Sequence, residues 1–146
     1  MACDGLGRPL ALHLTGGNIA DTTELATVLA AIRVVRGGPG RPRTRPDRVV
    51  ADKGYSSRAN RAMLARRGIK VTIPERSDQL TNRRRRGSAG GRPYAFDPQI
   101  YRRRNVVERG FNRVKHWRGL ASRYDKTAVN YLGGLTLASL LLWAGS

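Results

Sequence analysis

Apolar residues recur along the chain with two different periods, and the places where one gives way to the other mark its elements. Residues 9–14 (PLALHL) read as a short strand entered from the turn chemistry of Asp4-Gly5-Leu6-Gly7, so residues 1–15 are expected to form a β-hairpin. Residues 48–52 form a second short strand, apolar at Val49, Val50 and Ala51, and residues 69–74 a third, ended by Pro74. Helical spacing takes over in four places. Over residues 18–35, Leu25, Val28, Leu29 and Ile32 form a stripe, with Asp21 read as the cap and Glu24 completing a capping-box-like pair. Over residues 57–67, Ala59, Ala62, Met63 and Leu64 lean inward, and Gly68 is a helix stop. Over residues 97–120, Asp97 is placed as N-cap and Pro98 at the first helical position, with Ile100, Val107, Phe111 and Val114 on one arc. Residues 131–143 are apolar nearly all round and read as a core or packing helix, with a subunit interface as the alternative.

Strands alternating with helices make this an α/β chain. Two connectors break the pattern. Residues 36–47 (RGGPGRPRTRPD) are a Pro/Gly/Arg loop whose arginines either reach phosphates or stay solvated. Residues 75–96 are expected to be irregular, because Arg83, Arg84, Arg85 and Arg86 repel one another. This second segment is either disordered or an arm that orders on an anionic strand, and the charge balance favours the arm. The first arm of the N-terminal hairpin is very short, so the chain is expected to start partway into a domain. Asp4 is read as a turn residue.

Composition narrows the partners. The net charge is +18 over 146 residues, and only four of the 28 basic residues are Lys. Such an excess points to a polyanion, most simply nucleic acid, and Arg suits bidentate phosphate contacts. Cys3 is the sole cysteine, which excludes an intrachain disulfide and a cysteine-based metal site. His13 and His116 stand in different settings, so a zinc centre is not expected. No signal-peptide pattern is apparent, and the longest apolar run falls short of the roughly 20 residues that span a bilayer. The chain is expected to be soluble, in a reducing compartment and without a membrane partner.

Candidate chemistry lies on the longest polar-apolar helix. Tyr101, Arg104, Glu108 and Lys115 fall on the arc beside its apolar face, so a single carboxylate stands between cations and a phenol. The plain alternative is an amphipathic helix with an i,i+4 Arg104–Glu108 pair. Asp52 closes the strand at residues 48–52, and the crevice beyond strand carboxyl ends is where α/β sheets bind ligands. Taken alone, it reads more readily as a turn or cap residue.

Tyr101, two residues, Arg104, three residues, Glu108, six residues and Lys115 together reproduce the Y-R-E-K pattern of a group of bacterial insertion-sequence transposases. The chain resembles these DDE enzymes also at Val50-Ala51-Asp52-Lys53-Gly54-Tyr55 and at residues 117–126 (WRGLASRYDK), so the resemblance covers nearly its whole length. It implies a ribonuclease H-like fold with a mixed sheet and flanking helices. It further implies Asp52 and Glu108 as metal-binding carboxylates for Mg2+ or Mn2+, and Mg-dependent hydrolysis and strand transfer of DNA phosphodiesters. In that scheme Tyr101, Arg104 and Lys115 meet the DNA beside the acids, while the charge balance gives Arg83, Arg84, Arg85 and Arg86 to phosphate contacts. The implied partners are transposon ends and target DNA, a homodimer is compatible with it, and the implied setting is the bacterial cytoplasm and nucleoid. No residue in the first fifteen matches the family's first catalytic Asp. The expectation is therefore a single partial catalytic domain over residues 1–146, N-terminally truncated and without its first strand. It would be inactive alone and completed by an upstream-encoded segment. The alternative is a non-catalytic basic nucleic-acid-binding protein, or a decayed transposase remnant.

Overall fold

The computed structural model describes residues 1–122 and 127–145. Its first element is the expected hairpin. Strands β1 (Ala2–Cys3) and β2 (Pro9–Ala11) pair antiparallel, Ala2 against Ala11 and Cys3 against Pro9. Asp4 closes the turn: its Oδ1 accepts the N–H groups of Leu6 (2.9 Å) and Arg8 (3.0 Å), and its Oδ2 pairs with the Arg8 guanidinium at 2.7 Å. Burial pushes the Asp4 carboxyl up, but these bonds from Arg8 and Leu6 and the charge of Arg8 outweigh it, so its pKa lies below the ordinary value.

The first helix corrects the capping assignment. A 3-10 turn at Asp21–Glu24 leads into α1 (Leu25–Ala30), its N-cap is Ala20, and no side chain caps it. Glu24 instead reaches His13 Nε2 at 3.0 Å. Helix α1 also ends short of residue 35. Val34 leaves it to form an antiparallel bridge with Arg43, which closes the loop over residues 36–47. The apolar stripe holds regardless, with Leu25, Leu29 and Ile32 buried.

Strands β3 (Arg48–Val50) and β4 (Lys70–Thr72) run parallel, in register Arg48–Lys70, Val49–Val71 and Val50–Thr72. They are joined through α2 (Arg58–Arg66), which Ser57 caps by accepting the Asn60 N–H at 3.2 Å. Leu64 of α2 is fully buried, and with Ala11, Leu25, Leu29, Ile32, Ile69 and Ile73 it forms the main core. Among the described residues the strands make two two-stranded sheets, one antiparallel and one parallel. The single mixed sheet expected from sequence is not formed, although both sheets border the same core.

Residues 75–96 are not irregular throughout. They contain α3 (Ser77–Arg85) and a 3-10 turn at Gly87–Gly90. Arg is a good helix former, and here Arg83, Arg84 and Arg85 occupy the last turn, where cations complement the helix dipole, with Asp78 in the first. Those gains outweigh the mutual repulsion that suggested a disordered run.

The helix expected over residues 97–120 is broken into α4 (Pro98–Arg102), α5 (Asn105–Lys115) and α6 (Arg118–Ala121). Asp97 caps α4 as expected, accepting the N–H groups of Gln99 (2.9 Å) and Ile100 (3.1 Å). Helix α5 packs on β1, and its buried residues are Gly110 and Val114. Phe111, expected on the inner arc, is 42% exposed, because the close approach at Gly110 turns it outward. Helix α7 (Ala128–Ala144) packs on α5 and α6 around Val114, Leu120 and Ala138. Its large side chains face outward more than a core helix allows, with Leu137, Leu140 and Leu141 exposed. The small side, at Ala138 and Ser139, makes the contact. Its Trp143 donates from Nε1 to the Pro9 carbonyl at 2.7 Å, so the hairpin lies between the two apolar clusters. Among the described residues no helix is long and apolar enough to cross a membrane.

Candidate active site and nucleic-acid interface

Strand β3 carries Asp52 to its carboxyl end. There the side chain caps the 3-10 turn at Lys53–Tyr55, with Oδ1 accepting the Gly54 N–H at 2.7 Å. The capping role therefore exists, and it uses one oxygen. Oδ2 has no partner among the described residues. Tyr55 adjoins this acid. Burial pushes its phenol up, and the charges of Asp21 and Asp52 raise it further. Asp21 is thus the residue that sequence reasoning passed over. A capping signature accounted for it fully, yet in the fold it shares the field of Asp52 at one phenol.

Glu108 lies on α5 with its side chain about half exposed, and its Oε1 accepts from the Arg104 guanidinium at 2.7 Å. Arg104 is the residue at which α5 begins, so the i,i+4 spacing brings the two together as expected. Tyr101 is not on the same helix. It sits on α4 before the break, half-buried, with its ring centroid 5.3 Å from that of Phe96. Lys115 is the last residue of α5, exposed, and roughly 10 Å along the axis from Glu108.

The arginine run divides. Arg83 makes two bonds to the Glu75 carboxylate, and both side chains are largely covered. The Arg83 guanidinium also lies 5.2 Å from the Tyr94 ring centre, whose other neighbour is the buried Arg61 at 4.2 Å. Arg61 donates to the Ile73 carbonyl at 2.8 Å, which fastens the stack to the main core. Arg84, Arg85 and Arg86 are exposed. Arg83 therefore anchors the segment that displays the other three, a role invisible in a run of identical letters.

Asp52 and Glu108 offer hard oxygen donors of the kind Mg2+ and Mn2+ favour, each with one oxygen uncommitted among the described residues. The donor chemistry fits, while among those residues no group of three acidic, His or Cys side chains is positioned to hold a metal. The segment at residues 117–126 that extends the sequence resemblance lies partly outside the described residues.

A family model described as Transposase DDE domain matches residues 1–143. The chain is 38% identical over 139 residues to a candidate transposase for insertion sequence element IS402 of Burkholderia cepacia, covering 95% of this chain and 58% of that protein. It is 26% identical over 145 residues to a candidate transposase for insertion sequence element IS6501 of Brucella ovis, covering 96% of this chain and 92% of that protein. The chain thus spans a little over half the length of the IS402 relative. No solved structure matches it significantly.

Proposed function

The chain belongs to the transposase DDE-domain family, and from that premise we propose that it forms the larger part of a catalytic domain that breaks and joins DNA phosphodiesters during movement of an insertion element. The observation that carries this reading is the pair Asp52 and Glu108, each with one carboxylate oxygen bonded within the chain and the other free among the described residues.

In-line attack on a phosphodiester by water or a 3′-hydroxyl builds charge on the attacking and leaving oxygens, which bound Mg2+ or Mn2+ stabilises. Asp52 and Glu108 are the residues that would hold the ions. Arg104 holds the Glu108 carboxylate in place, and exchanges it for a phosphate when DNA arrives. Lys115 binds the flanking phosphate. Tyr101 stacks on or hydrogen-bonds to a terminal nucleotide. Arg84, Arg85 and Arg86 add affinity without reading bases, while Arg83 holds their segment in place. A ribonuclease H-like arrangement would take its third carboxylate from a further segment, with both sheets present here bordering one core. On this reading residues 1–146 alone bind DNA but cut it little or not at all.

The test uses the insertion element that encodes the chain, placed on a reporter plasmid. Asp52→Asn and Glu108→Gln, introduced singly, should each lower excision by more than about a hundredfold, since even residues that merely orient metal ligands cost 10–100-fold. Excision at the parental rate in either variant would overturn the reading. An element that never moves in parental form would favour the alternative of a basic nucleic-acid-binding remnant.

A further inference from the structure

The edge of α5 turned away from Glu108 carries a basic feature that the catalytic reading leaves unused. Arg109 lies roughly 100° and Arg113 roughly 140° round the helix from Glu108, and the two are one turn apart, about 6 Å along the axis. They line a cleft of about 280 Å3 whose facing wall is the hairpin turn at Gly5 and Gly7 and whose floor is Val106 and Gly110.

Two glycines create this space. A Cβ on Gly110 would stand 3.1 Å from the Gly7 carbonyl oxygen. A Cβ on Gly7, whose φ is +85°, would stand 3.3 Å from the Val106 methyl. Helix and turn therefore meet nearly backbone to backbone, with the Met1 methyl reaching to 3.4 Å of the same Gly110 position. Both arginines are exposed, and neither makes a hydrogen bond or ion pair with a described residue. Their neighbours differ. Arg104 is taken by Glu108, and Arg8 by Asp4 and the Trp143 ring. Among the described residues no carboxylate lines the cleft. Among the described residues, then, Arg104 on α5's Glu108 edge is neutralised by a carboxylate, and Arg109 and Arg113 on the other edge are not.

We propose that the Arg109–Arg113 cleft docks the sugar-phosphate backbone of a DNA strand, on the side of α5 away from the Arg104–Glu108 pair. Guanidinium groups match phosphate oxygens in bidentate geometry, and two of them on a rigid helix span more than one phosphate. A duplex held from both edges of α5 is fixed in register against Glu108, which a single-edge contact leaves free to slide. The proposal rests on the DNA-binding part of the function given above. It does not depend on catalysis.

The experiment is fluorescence-anisotropy binding of a random-sequence duplex to the purified chain in EDTA, across about 50–200 mM salt. Each phosphate neutralised contributes about 0.9 to the slope of log affinity against log salt. R109Q/R113Q should weaken binding and lower that slope by roughly two. R109K/R113K should keep most of the slope, and R58Q/R66Q, exposed on α2, should change it by less than one. A slope for R109Q/R113Q no lower than that of R58Q/R66Q overturns the cleft and leaves the transposase reading standing. Absence of DNA binding by the parent chain overturns both. Far-UV circular dichroism on each variant separates lost contacts from lost fold.

Discussion

Tyr55 is where the acids of this chain can be felt without any ligand. Its phenol is half-buried between Asp21 and Asp52, so ionising it costs more in the folded state than in the unfolded one. A raised folded pKa gives stability that is fully present below the ordinary value of 10.0 and is lost as pH climbs through the higher folded value. Above the ordinary pKa the unfolded phenol gives up its proton first, which draws the equilibrium toward unfolding. Tyr55→Phe removes that contribution, so its Tm should fall less between pH 9 and pH 11 than that of the parent, followed by circular dichroism. Equal falls would mean that burial and the two carboxylates do not raise this phenol in the fold. Asp52 was legible in the sequence because a strand ended on it. Asp21 was not, since its neighbours spelled a helix cap that the fold never uses.

Between elements, the instructive case is the stack of Arg61, Tyr94 and Arg83. A guanidinium buried on α2 would be costly if unpaired, but Arg61 donates to the carbonyls of Ser56 and Ile73 and lies on the Tyr94 ring. Through that ring it fixes Arg83 and Glu75, and with them α3. Arg61→Met keeps the volume but loses the charged hydrogen bonds, and should cost about 2–3 kcal/mol in a urea melt. It should also raise the rate of proteolysis within residues 84–92 well beyond the global loss. Unchanged cleavage there would show that α3 stands without the stack. Strands, helix stripes and the Asp97 cap were readable because they depend on local spacing. The order in residues 75–96 was not, because it depends in part on Arg61 meeting Tyr94 from far along the chain and on Glu75 pairing with Arg83. The break between α4 (ending at Arg102) and α5 (starting at Asn105) also escaped, since the apolar spacing runs through it unchanged.

Across the whole molecule, two apolar clusters flank one hairpin, and a net charge of +18 covers the surface. The charge was plain in the composition, and its division into anchoring, self-neutralised and free arginines was not. Among the described residues, those whose side chains make no hydrogen bond or ion pair include Arg84, Arg85 and Arg86 at the end of α3 and Arg109 and Arg113 on the far edge of α5. The candidate acids stand apart in the chain, with Asp52 after β3 beside the main core and Glu108 on α5, which packs on β1. The central claim is that these two carboxylates share a divalent ion. Titrating Mn2+ into the 15N-labelled chain, and following paramagnetic broadening of amide signals, tests it most directly, because weak binding suffices. The account predicts that signals around Asp52 and around Glu108 broaden together at the same Mn2+ concentrations. It also predicts that Glu108→Gln abolishes the effect at Asp52 as well. Broadening at one acid that persists when the other is neutralised would contradict it.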